Sequence, residues 1–270
     1  MVADTRSAPD MNVGAPLESA SAHSGAARLR ARLTSLPALV IALGIVTIAA
    51  AGPAQGFDEM LRHYWLRNHF PQALPFVQGV LDPIAGQAVC LPVLSLVAIV
   101  IAWRTRSFTP LLLVLFAEVG FLGGVGGIKV LLARPAPSIG QPDMFEGGLF
   151  TLGGKGISFP SGHASEAVLI YGTAVYLIAS RTGVSRRVVR LLWGLVGLIT
   201  VNSVAVSLSL GWHWVTDLIG GVVAGALFLR ILIEVDRRWI HKPSVEPPVR
   251  AQSLPADPEA SSSRSLGSTR

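Results

Sequence analysis

The sequence predicts an all-α polytopic membrane protein, a bundle of six transmembrane helices, and three observations carry this. Of 270 residues, 51% are hydrophobic and only 14% charged, with a mean hydropathy of +0.54; a soluble domain of this size needs more charge to stay dispersed. Six apolar stretches reach or approach the roughly 20 residues that carry a helix across a bilayer. The basic residues fall between alternate stretches rather than at random.

Taken in order, residues 1–27 are rich in Ala, Ser and Gly without apolar period and read as a disordered tail. A secretory signal is not expected, because the first hydrophobic run begins only after Arg28, Arg30 and Arg32. The membrane domain then covers 28–241. Its six stretches are Leu36–Ala51, Ile84–Trp103, Phe108–Leu132, Gly162–Ala179, Leu191–Leu210 and Trp214–Ile233. The first and fourth are the shortest, the fourth because its start is polar. From 242 to 270 the chain is Pro- and Ser-rich and reads as a second disordered tail.

Charge placement orients the bundle. Arg28, Arg30 and Arg32, then Arg104 and Arg106, then Arg181, Arg186, Arg187 and Arg190, then Arg237, Arg238 and Lys242 all fall on one side. By the positive-inside bias that side, with both termini, is cytoplasmic in the plasma membrane. The other side carries Gly52–Asp82, the loop Arg134–Pro160 and the turn Gly211–His213, with Trp65, Trp212 and Trp214 suited to an interfacial belt. The formal charge of +6 suggests no nucleic acid, since basic and aromatic residues are not interleaved in a patch. The single cysteine, Cys90, lies in an apolar run and is read as packing. Glycines at 120, 123, 124, 126 and 127, and at 220, 221 and 225, allow helices to approach closely. Mid-membrane Glu118 must face the interior and find a partner, with Asn202 or Ser203 expected.

The polar residues at the outer helix ends form an unusual set. Pro160-Ser161-Gly162-His163 opens the fourth stretch. Proline suits a helix start, Ser161 can cap it, and Gly162 lets the backbone approach a ligand. Free N–H groups there make a site for an anion, phosphate above all. His163 at its rim can donate or accept a proton, though alone it reads equally as an interfacial histidine. Lys129 and Arg134 end the third stretch; Lys129 alone reads as a snorkelling lysine. The spacing His213-x-x-x-Asp217 puts both side chains on one helical face, where the acid orients the imidazole. Singly they read as an interfacial anchor and a first-turn acid. Together, two cations, a helix N-terminus and a His–Asp pair converge on one membrane face.

Lys129 with Arg134-Pro135, then Pro160-Ser161-Gly162-His163, then Gly211-Trp212-His213 and Asp217 resemble the type 2 phosphatidic acid phosphatase superfamily of membrane lipid phosphatases, from about Lys129 to Gly221. The resemblance implies a lipid phosphate substrate in the bilayer and no metal or other cofactor. It makes His213 the nucleophile that forms a phosphohistidine, Asp217 its orienting acid and His163 the proton donor. Lys129, Ser161 and Gly162 would hold the phosphoryl oxygens. Two arginines of the family pattern are missing, their places taken by Ala136 and Ser207. A buried phosphoryl dianion needs matching cations, so Arg134 is expected to take over the clamp, assisted by Lys155. The expected activity is hydrolysis of an isoprenoid diphosphate (for example undecaprenyl diphosphate) or a glycerolipid phosphate at the extracytoplasmic face. A phosphotransferase and a non-catalytic lipid-phosphate binding protein are the alternatives.

Overall fold

The core of the bundle is one helix enclosed by four of the other long helices, with the first long helix packed on the last. In a computed structural model, which describes residues 32–62 and 64–240, every regular element is helical. The two expected tails, 1–27 and 242–270, lie outside the described residues. The long helices are α1 (Leu36–Ala51), α4 (Gln87–Thr105), α5 (Thr109–Leu132), α6 (Gly162–Arg181), α7 (Arg186–Ser209) and α8 (Val215–Ile240). Between α1 and α4 run the short helices α2 (Gln55–Met60) and α3 (Trp65–His69), followed by a helical stretch from Pro71 to Leu81.

Four of the long helices, α4, α5, α7 and α8, are long and apolar enough to cross a membrane; α1 with α2 and α3 forms a pair bent by 70° that adds a fifth if counted as one span. The remaining long helix, α6, owes its lower hydropathy to its position. It packs against α4, α7 and α8, and buries Ser165, Glu166 and Thr173 along with Leu169, Ile170 and Leu177. A helix whose neighbours are protein can carry hydroxyls and an acid, because partners replace the water that lipid would deny them. The apolar side chains of the outer helices, Ile41 and Ile45 of α1, Leu115 and Leu122 of α5, Leu195 and Leu198 of α7, stay exposed around the bundle.

Helix ends follow local chemistry. Pro110 lies in the first turn of α5. Ser185 caps α7, its Oγ accepting from the Val188 N–H at 3.4 Å. A left-handed residue, Ala133, stops α5, and its N–H returns to the Lys129 carbonyl at 3.0 Å. Close approach of α8 to α6 rests on glycine: a Cβ at Gly221 would lie 2.6 Å from the Ser161 carbonyl oxygen, and one at Gly225 2.6 Å from that of Ser165. On α5 only Gly120 and Gly124 serve this purpose, against Phe228; Gly123 and Gly127 face open space.

Glu118 does not meet Asn202 or Ser203. Its Oε2 accepts from Gln87 Nε2 at 2.6 Å, because α4 and α5 form a hairpin that brings those positions level. Asn202 instead donates to the Leu81 carbonyl at 2.9 Å. The basic ends of the helices gather opposite the polar set, where Arg181 Nη2 grips Asp236 at 2.6 and 2.8 Å and Tyr176 donates to the same carboxylate.

Candidate active site

Three segments far apart in sequence meet at Asp217, which is fully buried. The backbone carbonyl of Asp217 accepts from the Ser161 N–H at 2.9 Å, tying the start of α8 to the start of α6. Oδ1 accepts from Arg134 Nη1 at 2.6 Å. Oδ2 takes the Trp214 N–H at 3.0 Å and lies 3.4 Å from His213 Nδ1.

The His–Asp contact exists, but not as two residues on one face of a helix. The helix begins at Val215 and Trp214 is its cap, so His213 stands outside it. Asp217, in the first turn, folds back to the cap N–H and reaches the imidazole from there. An ionised carboxylate can only accept, so Nδ1 is the protonated nitrogen and Nε2 keeps its lone pair. Burial holds the imidazole below its ordinary value, against the opposing pull of Asp217. At neutral pH His213 is therefore unprotonated.

His213 borders a cavity of about 250 Å³ shared with Ala136, Ser138, Gly154, Lys155, Ser158 and Trp212. Lys155 borders it, held where its carbonyl accepts from Ala136 N at 2.7 Å. Ala136, at the place of a family arginine, also borders this cavity. Trp214 is not an interfacial residue: it is buried, with Nε1 donating to the Pro135 carbonyl at 2.8 Å.

Lys129, Ser161, Gly162 and His163 do not line that cavity but lie beside it. Lys129 Nζ donates to the carbonyls of Ile157 and Ser158 at 2.6 and 3.3 Å, and its stem passes Gly162. Ser161 occupies the cap position of α6, yet its Oγ caps nothing and is buried without a hydrogen-bond partner among the described residues. Pro160, joined to Phe159 by a cis peptide bond, precedes the cap and is not part of the helix. His163 is flanked by two acids: Asp82 Oδ2 lies 3.5 Å from Nε2, and Glu166 Oε2 3.9 Å from Nδ1.

The expected clamp, Arg134, is a correction. Its side chain is fully buried and spent on protein. Nε donates to the Pro142 carbonyl at 2.8 Å, Nη1 to Thr216 Oγ1 at 2.7 Å and to Asp217, and Nη2 to Asp58 Oδ2 at 2.8 Å. Its Cζ lies 5.5 Å from the centre of the Trp214 ring. Two carboxylates already neutralise the guanidinium, which leaves it no vacancy for a phosphoryl group.

Sequence reasoning missed Asp58, Thr216, Asp82 and Glu166. Only Glu166 carried a usable signal, an acid three residues after His163 inside an otherwise apolar run. Among the described residues, no group of three His, Cys, Asp or Glu side chains could hold a metal ion.

Comparison with known proteins agrees with the fold. No curated protein sequence matches the chain. A solved structure from Bacillus subtilis, described as the first transmembrane PAP2 type phosphatidylglycerolphosphate phosphatase, has the same fold. The TM-score is 0.62 at 19% identity, covering 76% of this chain and 98% of that one. Residues 107–240, which hold every element from α5 to α8, match the PAP2 superfamily, and the chain belongs to that superfamily of membrane phosphatases.

Proposed function

We propose that this protein releases phosphate from a lipid mono- or diphosphate at the extracytoplasmic face, through a phosphohistidine on His213. The observation that carries the reading is the buried His213–Asp217 pair opening on a cavity that Lys155 and Ser158 share. A binding protein needs a cation there but not an oriented nucleophile.

The steps balance. Nε2 of His213 forms a bond to phosphorus while the P–O bond to the lipid breaks, and His163 gives a proton to the departing oxygen. Water then attacks the phosphohistidine, His163 takes a proton from it, and the P–N bond breaks to free phosphate. Lys155 borders the cavity itself, and in this reading Lys129, the Ser161 hydroxyl and the backbone at Gly162 turn to the phosphoryl oxygens from beside it when substrate binds, where fixed positive charge does most of the work. Glycerolipid phosphates, since the Bacillus subtilis protein is described as a phosphatidylglycerolphosphate phosphatase, and isoprenoid diphosphates are the leading substrates.

Purified protein in detergent, given phosphatidylglycerophosphate, phosphatidic acid and isoprenoid mono- and diphosphates, is expected to release inorganic phosphate from at least one, unaffected by chelators. Binding without release from any of them would overturn the catalytic reading. External labelling of single cysteines in Gln141–Gly156 tests the orientation, and protection of that loop would reverse it.

The role of His163 has its own signature. His163→Ala should cut turnover of a lipid phosphate by about two orders of magnitude, the usual size of a general-acid contribution. Hydrolysis of p-nitrophenyl phosphate, whose leaving group needs little protonation, should fall far less. Equal losses on both would remove His163 from that role.

A further inference from the structure

We propose that Asp58 tunes the His213–Asp217 pair by taking up part of the charge of Arg134. Asp58 comes from α2, in a segment without any motif, and is 1% exposed. Oδ1 accepts from the Thr216 N–H at 3.0 Å, and Oδ2 accepts from Thr216 Oγ1 and from Arg134 Nη2. An asparagine could tie down the Thr216 backbone equally well. Burying a carboxylate is costly unless its charge is used, and the charge of this one faces Arg134.

The arithmetic of the buried trio explains its use. Asp58 and Asp217 carry two negative charges and Arg134 one positive, so the trio keeps a net charge of −1 next to His213. That residual charge lets Asp217 stabilise the positive imidazole formed when Nε2 bonds to phosphorus. Without Asp58, Arg134 would pair with Asp217 alone and cancel its field at His213. The other groups that face His213 cannot replace it: Lys129 from α5 and His163 from α6 act in the opposite sense, and Lys155 across the cavity is also cationic. Asp58 touches no substrate in this account. It is a positioning residue that works through Arg134 and Asp217.

The inference rests on His213 being the nucleophile, and the test separates the two. Full-length protein in detergent is assayed with phosphatidic acid and p-nitrophenyl phosphate across pH. Asp58→Asn should lower kcat about tenfold with KM within about twofold, one step of tenfold being a modest share of a charge stabilisation. The acid limb of its pH profile should move to lower pH, because His213 loses a neighbouring negative charge. Asp58→Glu should restore the limb. The double variant Asp58→Asn with Arg134→Gln, which removes one charge of each sign, should bring the limb back toward the parent. An unmoved limb in a folded Asp58→Asn protein overturns the proposal. If Asp58→Asn does not fold, the double variant decides: a parental limb supports the charge balance and a displaced one refutes it. Turnover surviving in His213→Ala would overturn the phosphohistidine reading instead, whatever Asp58→Asn does.

Discussion

His213→Ala is expected to abolish turnover while leaving the protein folded. The loss should exceed about 10³-fold, or roughly 4 kcal/mol of transition-state stabilisation, because among the described residues no second nucleophile borders the cavity with an acid behind it. The fold should survive because His213 gives the structure little. It stands outside α8, and among the described residues its side chain's one hydrogen bond is the 3.4 Å contact to Asp217. Removing it leaves Oδ2 still bonded to the Trp214 N–H and Oδ1 to Arg134. Phosphate release and thermal unfolding, measured on the same detergent preparation, check the two halves. The parent protein carries a linked expectation. A nucleophilic imidazole must be unprotonated, and burial holds that of His213 below its ordinary value. The protein should thus keep its activity as pH falls through about 6.5, the ordinary histidine value, and lose it only below. An acid limb above that value would mean that His213 is not the titrating nucleophile. Substantial turnover by the folded alanine variant would end the phosphohistidine mechanism outright.

The parts of the site that were legible in the sequence are those where local chemistry and position along a helix coincide. Ser161-Gly162-His163 sits where a polar stretch becomes helical, and a helix start has its own residue preferences. His213 and Asp217 lie four apart, so their contact survives even though the chain is not helical at His213. Lys155 stands out in the sequence because so few cations occur in its loop, and the structure places it at the cavity beside His213. The helix pattern was legible for the same reason, since lipid-facing helices must be apolar throughout. The central helix α6 is the exception: enclosed by protein, it does not need the apolar run that identifies the others.

The missed residues share one property, in that their partners are distant in sequence. Asp58 and Thr216 are 158 positions apart, and Asp58 and Arg134 are 76 apart. No periodicity links them, and only the packing of α2 against the end of the bundle brings them together. Glu118 shows the same limit in milder form. Its need for a partner followed from its depth, but the choice of Gln87 over Asn202 depended on which helices pair. Arg134 was misread for the complementary reason. It stands close to a phosphate-binding position, and nothing nearby in sequence revealed the acids that consume its charge.

Arg134 therefore supports the second large prediction. As a substrate clamp it could be replaced by methionine with normal folding and a raised KM. As the hub of a buried network it cannot. Arg134→Met would leave Asp58 and Asp217, both fully enclosed, without their shared cation, and would strand the Pro142 carbonyl. Breaking a buried ion pair from one side costs about 3–5 kcal/mol, a large fraction of the roughly 5–15 kcal/mol that holds a domain folded. The expected result is a marked fall in melting temperature in detergent, or failure to accumulate. Arg134→Lys should also be damaged, because one ammonium with three donors cannot span four acceptors spread around a planar fork. The sharpest comparison uses Ala136, which borders the cavity with His213. If Arg134 bound the phosphoryl group, an arginine restored at 136 would rescue its loss. In this structure position 136 reaches the cavity and position 134 does not, so Ala136→Arg should leave the instability of Arg134→Met uncorrected. On its own, Ala136→Arg should lower KM by adding a cation beside Lys155. Rescue of the Arg134 variant, or an Arg134→Met protein that melts like the parent, would return Arg134 to the phosphate.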